Sequence, residues 1–310
     1  MSSVFIGMPV YNGSIFIERA VDSLRNQSYN DWNLLISDNA STDRTPEICK
    51  KYVREDSRIE YYRQDTNIGA LANFRFLLSS VNCEYFMWAA ADDMWGKGFV
   101  AACVDLLSKD SVDYAFTGLV NIDSFDRVIR GYSHMEKYFN QDRLVAITDY
   151  ILDPECLGKA NLIYGMYRYE NVKKYLYEFL SRPIENLYAF DVALNLGIIC
   201  RFQMGFDDRV MFKKRYTRIT DDPDQLTPHL VREYPIIDGM DCYNFATFRK
   251  AVSYAVMNTR YSSLVNCLMD YRGTLIEESN LYRKRIEEQQ SSIFRFHQKI
   301  IKFKRFFFND

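Results

Sequence analysis

The stretch NCEYFMWAAADDMW, from Asn82 to Trp95, decides how the rest of the chain is read. Glu84 to Ala91 is an almost unbroken apolar run, aromatic-rich at its start. It is too short to span a membrane and reads as a strand buried on both faces, as in parallel sheets. It ends in two adjacent carboxylates, Asp92 and Asp93. The carboxyl edge of a parallel sheet is where α/β proteins bind ligands. Adjacent carboxylates repel each other unless a cation or hydrogen-bond donors offset the charge. A divalent, oxygen-preferring metal such as Mg2+ or Mn2+ does this, combining one or two carboxylates with substrate phosphates. The competing reading is a helix cap or a polar turn after a core strand.

Upstream, Ser3 to Val10 is a short apolar run followed by Tyr11-Asn12-Gly13, a strand and a tight turn. Ser14 is placed to cap a helix in which Ile17, Val21 and Leu24 repeat on one face. Trp32 to Ile36 is a second strand, ending in Ser37-Asp38-Asn39. Thr45 and Pro46 open a second helix, Ile59 to Tyr62 is a third strand, and Ala70 to Val81 is a third helix. Strands alternating with helices predict a parallel sheet with helical crossovers. The loops after its strands then share one edge, which gathers Pro9, Tyr11, Asp38, Asn39, Asp43, Asn67 and the Asp92–Asp93 pair. Tyr11 offers a flat ring for a base, and Asp38 accepts hydrogen bonds from a base or ribose. No glycine-rich dinucleotide fingerprint or P-loop follows the first strand, so a nucleotide here needs its phosphates neutralised by a metal.

Four runs in series carry a resemblance: VFIGMPVYNG (4–13), LLISDNASTDRT (34–45), DTNIGALANF (65–74) and YFMWAAADD (85–93). Together they resemble the family 2 glycosyltransferases of the GT-A fold, over about the first hundred residues. The resemblance implies an α/β fold, a Rossmann-like, mostly parallel sheet flanked by helices, and a nucleotide-sugar donor. It puts Pro9, Tyr11 and Asp38 near the base, with Asn12, Asn67 and Asn73 on the donor side. It puts Asp92 at the ribose and diphosphate and Asp93 at the metal. Two departures stand out. Ala90 occupies a place where family members often carry a further Asp, and Asn73 one where Arg is frequent.

Composition bounds the partners. The 310 residues are 48% hydrophobic and 26% charged, ordinary for a globular protein. A formal charge of −2 argues against nucleic-acid binding. Seven cysteines without metal-type spacing predict free thiols in a reducing compartment. Neither a leader pattern before Val4 nor a run of the ~20 apolar residues needed for a membrane span is seen. These features predict a cytoplasmic protein.

Gly98 to Lys109 reads as a helix, Val112 to Ile122 as a strand that Arg127 to Tyr132 can join, and Gln141 to Leu152 as a helix. Tyr164, Tyr167 and Tyr169 are candidates for stacking on a sugar, with core packing as the rival role. Phe190 to Ile198 reads as a helix with Asp191 in its first turn, where the bland role is a favourable dipole contact. DVALNLG (191–197) is similar to the family pattern that carries the general base, with Glu185 as substitute. Phe202 to Met211 reads as one or two strands, and the basic cluster of Lys213, Lys214, Arg215 and Arg218 either meets phosphate or forms a solvated edge. His229 reads as a surface-loop histidine, with completion of a metal site as the rival role, and Asp221 to Asp224 with Pro235 mark a mobile loop that can serve as a lid over the donor. From about Asp238 the chain reads as helical, and 293–308 has the pattern of an interfacial helix for an anionic membrane, or of a terminal helix docked on its own domain.

The expectation is a GT-A domain over 1–235, with a nucleotide-sugar-binding half (1–110) and an acceptor half (111–235), and a helical C-terminal appendage (236–310). The expected reaction is metal-dependent, inverting transfer of a sugar to a hydroxyl of a glycan or lipid-linked acceptor in bacterial surface polysaccharide synthesis. The setting is cytoplasmic, peripheral at the inner face of the membrane, with homo-oligomer contacts through the C-terminal helices. The alternatives are a non-catalytic nucleotide-sugar-binding scaffold and a sugar-phosphate nucleotidyltransferase, the latter lacking its usual glycine-rich loop.

Overall fold

Apolar runs punctuated by polar turns fold as their periodicity demands. The computed structural model describes residues 3–132, 134–153, 158–184, 189–216, 242–277 and 281. In it β1 (Val4–Val10), β2 (Trp32–Asp38), β3 (Ile59–Arg63) and β4 (Tyr85–Trp88) alternate with α1 (Ile17–Arg25), α2 (Thr45–Glu55) and α3 (Ala70–Ser79). Then follow β5 (Met94–Trp95), α4 (Phe99–Leu107), β6 (Tyr114–Ile122), β7 (Val128–Gly131), α5 (Arg143–Leu152), β8 (Met166–Arg168), α6 (Tyr169–Leu180), α7 (Phe190–Arg201), β9 (Met204–Arg215) and α8 (Cys242–Val256).

One nine-stranded sheet runs β3-β2-β1-β4-β8-β6-β9-β5, with β7 paired to β6. The β3-β2-β1-β4 half is wholly parallel. Beyond β4 the sheet is mixed, because β8 lies antiparallel between β4 and β6. From β1 the chain winds outward to β2 and β3, then returns to β4 on the other side of β1. That reversal is a topological switch point, where ligand crevices open at the carboxyl ends of strands.

Burial explains why these elements stay together. All four side chains of β4 are buried, and the Phe86 and Trp88 rings meet edge-on at 4.6 Å. Tyr167 of β8 packs its buried ring on Trp88 at 5.9 Å. Each such side chain contributes about 1.5–3 kcal/mol relative to exposure. The inward stripe of α1 is Ile17, Ala20, Val21 and Leu24, a helical repeat facing the sheet.

Two local expectations resolve differently. Ser14 does not cap α1; its backbone N–H instead reaches Asp43 Oδ2 at 3.0 Å. The Thr45 hydroxyl accepts from Gly13 N at 2.9 Å rather than capping its own helix. The sequence carried no expectation for β8 with α6, because an antiparallel strand of three residues leaves little periodic signature. The stretch after Val210 continues the same strand, with two register shifts opposite Gly118. A side chain at Gly118 would press on the Asp208 carbonyl at 2.7 Å, so glycine lets the bulged strand lie close.

Asp43 ties the β1 loop to α2, since its other oxygen accepts from Thr45 N at 3.0 Å and Thr45 Oγ1 at 2.6 Å. Burial pushes its carboxyl up, but the bonds from Thr45 and Ser14 outweigh this and hold it below its ordinary value. A depressed carboxyl stabilises the fold above its unfolded pKa of 3.8, and that contribution is lost as pH falls through the folded value. Asp43→Ala is expected to cost about 0.5–2 kcal/mol at pH 7, the range for losing a helix cap. The cost should shrink at acid pH, as urea melts at pH 7 and pH 3.5 would show. A penalty that grows on acidification would contradict this role.

The described part of the C-terminal helical region is packed on the core. Phe248, Ala251, Val252, Ala255 and Val256 of α8 are buried. Gly197 on α7 makes the close approach, since a side chain there would strike the Tyr175 hydroxyl and the Ala255 carbonyl. Arg201 donates to the carbonyls of Ala255 and Met257. Residues 262–277 are helical, and Arg272 donates to Ile151 O at 2.9 Å. Glu185, Arg218, the 221–235 loop with His229, and 293–308 lie outside the described residues.

Candidate active site

The β1–β4 ladder ends where Gly7 pairs with Trp88 and accepts from Ala89 N at 2.9 Å. Beyond it β1 has no partner on that side, so Pro9, which has no N–H, fits there without an unmet ladder bond. The gap is a cleft made of two adjoining cavities that share Pro9, Val10, Tyr11 and Phe74. One, of about 200 Å³, extends to Asn39, Asn67, Ala70 and Asn73. The other, of about 230 Å³, extends to Asn12, Ala90, Ala91, Asp92 and Tyr164.

Tyr11 is 50% exposed and forms part of both walls. Asn12 adopts the left-handed backbone region at φ 52°, a conformation Asn tolerates, and its Oδ1 accepts from Thr42 N at 2.8 Å. Asn67 Oδ1 accepts from Asn39 Nδ2 at 2.8 Å, while Asn39 Oδ1 accepts from Ile68 N at 2.8 Å. Asn73 is buried and exchanges two bonds with Ser37, at 2.5 and 2.8 Å.

Asp38, read from the sequence as an acceptor for a base or ribose, is fully buried and lines neither cavity. The β2–β3 register puts it opposite Arg63. Arg63 Nη1 at 2.8 Å and Tyr61 Oη at 2.6 Å take one oxygen, and Ser41 N takes the other at 2.8 Å. Asn39, the next residue, reaches the cleft in its place.

The acidic pair splits in the same way. Asp92 lines the cleft, whereas Asp93 is fully buried. Asp93 Oδ1 accepts from Arg215 N at 2.8 Å, and Oδ2 from Lys214 Nζ at 3.1 Å. Burial pushes the Asp93 carboxyl up, to about 7, with Lys214 pulling it back and Asp92 adding to the rise. Burial alone would lower Lys214, but attraction to Asp93 outweighs it and holds the ammonium above its ordinary range. Arg215 is itself buried, donating to Asp92 O at 2.8 Å and pairing with Asp126 at 2.5 Å. Lys214 and Arg215 are thus folded inward on the acidic loop. Among the described residues no three His, Cys, Asp or Glu side chains gather as a metal site. Asp93 offers a divalent ion a poor site, because each of its oxygens already holds a donor and one of these is the Lys214 ammonium, so Asp92 is the open carboxylate of the pair.

Asp191 opens α7 after Ala189, which is left-handed at φ 50°, and accepts from Val192 N at 2.8 Å. Burial raises the Tyr164 phenol, Lys214 lowers it, and Asp93, Asp92 and Asp191 add to the rise. Tyr164, on the cleft wall, therefore feels carboxylates from both halves of the chain. Tyr167 and Tyr169 are core residues. Sequence reasoning missed Phe74, which ends a quoted motif, and the inward turn of Lys214 and Arg215, which only the tertiary fold reveals.

The profile of glycosyl transferase family 2 matches residues 5–167, which carry β1 to β8 and the cleft. The chain belongs to that family. TuaG of Bacillus subtilis, named as a glycosyltransferase of teichuronic acid biosynthesis, is 31% identical over 110 residues, 36% of this chain and 44% of TuaG. A Campylobacter jejuni relative, named as a GalNAc(5)-diNAcBac-PP-undecaprenol beta-1,3-glucosyltransferase, is 26% identical over 116 residues, 37% of each chain. The matches thus span less than half of these relatives. The crystal structure of Staphylococcus aureus TarS 1-349 superposes with a TM-score of 0.61 at 14% identity, covering 86% of this chain and 69% of that one. That likeness shows the fold, a GT-A arrangement. No described helix of this family member is long and apolar enough to cross a membrane.

If Tyr11 stacks on a base, Tyr11→Ala should weaken nucleoside diphosphate binding by about 5- to 150-fold, the equivalent of about 1–3 kcal/mol per stacked base. Calorimetry with UDP, GDP, CDP and dTDP reads this directly. Unchanged affinity for the diphosphate that binds would exclude the stacking role.

Proposed function

We propose that this chain transfers a sugar from a nucleoside diphosphate sugar to a hydroxyl group of a glycan or lipid-linked acceptor, with inversion, in bacterial surface polysaccharide synthesis. The observation that carries the proposal is the cleft at the β1–β4 switch point, aromatic and amide-lined at one end and bordered by Asp92 at the other. Its first end suits a base, between Tyr11 and the Asn39–Asn67 pair. Its second end suits the ribose, diphosphate and sugar. The relatives named above support the setting by what they are named for.

In the proposed reaction the Asp191 carboxylate takes the proton of the acceptor hydroxyl. The freed oxygen forms a bond to the anomeric carbon as the bond from that carbon to the phosphate oxygen breaks. The bond's electron pair leaves with the diphosphate. A single displacement of this kind inverts the anomeric centre. A general base contributes about 10²–10⁴-fold to such a step. A divalent ion, where one is used, would have Asp92 as its open carboxylate, since Asp93 is engaged; no step here depends on it. Residues 1–110 supply most of the donor cleft, joined by Tyr164 from the later half; the rest of that half serves the acceptor, with the helical region completing the fold. Cytoplasmic placement, with 293–308 meeting an anionic membrane surface, extends the proposal from the sequence pattern.

A panel of nucleotide sugars, screened first for thermal stabilisation and then for hydrolysis or transfer, tests this reading. One donor should stabilise the protein and release its nucleoside diphosphate. Stabilisation without turnover, with or without Mg2+ and Mn2+ and across glycan acceptors, would favour a binding scaffold.

A further inference from the structure

We infer that the cation facing the donor's diphosphate is the ammonium of Lys214, and not a divalent ion held between Asp92 and Asp93. The inference rests on the nucleotide-sugar reading above and assigns the positive charge that reading requires.

The first ground is the state of Asp93. It is 0% exposed, one oxygen holds the Arg215 N–H at 2.8 Å, and the other holds Lys214 Nζ at 3.1 Å. An ion bound there would share each oxygen with a donor already in place and would lie against the ammonium's positive charge. The second ground is Ala90, which leaves no third carboxylate at the end of β4. The third is where the ammonium lies. Lys214 lies behind the cavity wall and not in its lining, keeps 22% of its side chain exposed, and has its Nζ 5.3 Å from the centre of the Tyr164 ring. Tyr164 and Asp92 both border the 230 Å³ cavity. Asp93 thus pins one N–H of an ammonium that has three donors and no acceptor.

The surrounding contacts fix this charge in place. Lys214 sits on β9 one residue before Arg215, which is anchored by Asp126, the Asp123 carbonyl and the Phe16 ring at 4.4 Å. A charge held before the reaction stabilises a leaving diphosphate without reorganisation as the bond breaks. Lysine meets phosphate as a point charge, which suits a diphosphate that must also depart. Asp92 then accepts from neutral ribose or sugar hydroxyls and needs no metal to offset a phosphate. Lys214 is a residue contacting the donor on this view, and Asp93 a positioning residue that acts through it.

Calorimetry on the full chain tests the inference. UDP, GDP, CDP and dTDP are titrated with EDTA, then with Mg2+ or Mn2+, and each matching nucleoside is titrated alone. The expected result is that one diphosphate binds in EDTA and that either metal changes its affinity less than about threefold. Lys214→Gln paired with Asp93→Asn removes both charges together, so no buried carboxylate is stranded. This double variant should unfold cooperatively, keep its nucleoside affinity and lose about 10- to 100-fold in diphosphate affinity, the scale of a charge-assisted contact. Wild-type-like diphosphate affinity in the double variant would overturn the inference. So would wild-type binding that appears only with metal, and this outcome would leave the nucleotide-sugar reading standing. Binding of none of the four diphosphates under any condition would overturn both.

Discussion

Asp191→Asn is expected to lower sugar transfer by about 10²–10⁴-fold, because a carboxamide cannot take the acceptor's proton. Nucleotide affinity should barely change, since Asp191 begins α7 and lines neither of the two cavities assigned to the donor. The variant's shape is nearly unchanged, and the bond from Val192 N keeps an oxygen acceptor. Single-turnover transfer and calorimetry on the same preparation separate the two effects. If nucleotide affinity falls as far as transfer, Asp191 serves the donor site or the fold, and another group is the base.

Lys214→Ala should produce the largest loss of stability among the site variants, about 3 kcal/mol at alkaline pH, because it strands a fully buried carboxylate. The loss should depend on pH with a definite sign. Burial raises the Asp93 carboxyl from 3.8 to about 7 in the folded protein, against the pull of Lys214. A raised carboxyl contributes stability below its unfolded pKa, and the contribution is lost as pH rises through the folded pKa. In the wild type that loss falls between 3.8 and about 7. Without Lys214 the folded value climbs further, so the variant goes on losing stability above pH 7. Denaturant melts at pH 5, 7 and 9 should show a penalty that widens with pH. A penalty equal at all three values would mean that Lys214 stabilises by packing alone.

The halves of this protein differ in how far their sequence could be read. The parallel half was legible because β1, β2 and β4 are apolar runs that end in polar turns, with helical repeats such as Ile17, Val21 and Leu24 between them. The cleft followed from that order, since the loops after parallel strands must share an edge. What stayed hidden was which side chain of each loop faces the ligand. Asp38 and Asn39 are neighbours, and only the pairing of β2 with β3 hands Asp38 to Arg63. Asp92 and Asp93 are neighbours too, and the partner that claims Asp93 lies 121 residues later in the chain. Local pattern holds no record of such a pairing. The antiparallel β8 was hidden for another reason: Met166–Arg168 is too short to show a period, and β4 and β6 define it from either side.

The central claim is that the nucleotide sugar lies in the cleft between β1 and β4. Methyl NMR on alanine-labelled protein tests it most directly, because Ala70 borders one cavity and Ala90 and Ala91 border the other. Titration with the donor found by thermal screening should shift these three methyl signals, while those of Ala102 on α4 and Ala255 on α8 stay in place. Shifts at Ala255 or Ala102 with Ala70, Ala90 and Ala91 unmoved would put the donor elsewhere and contradict the account.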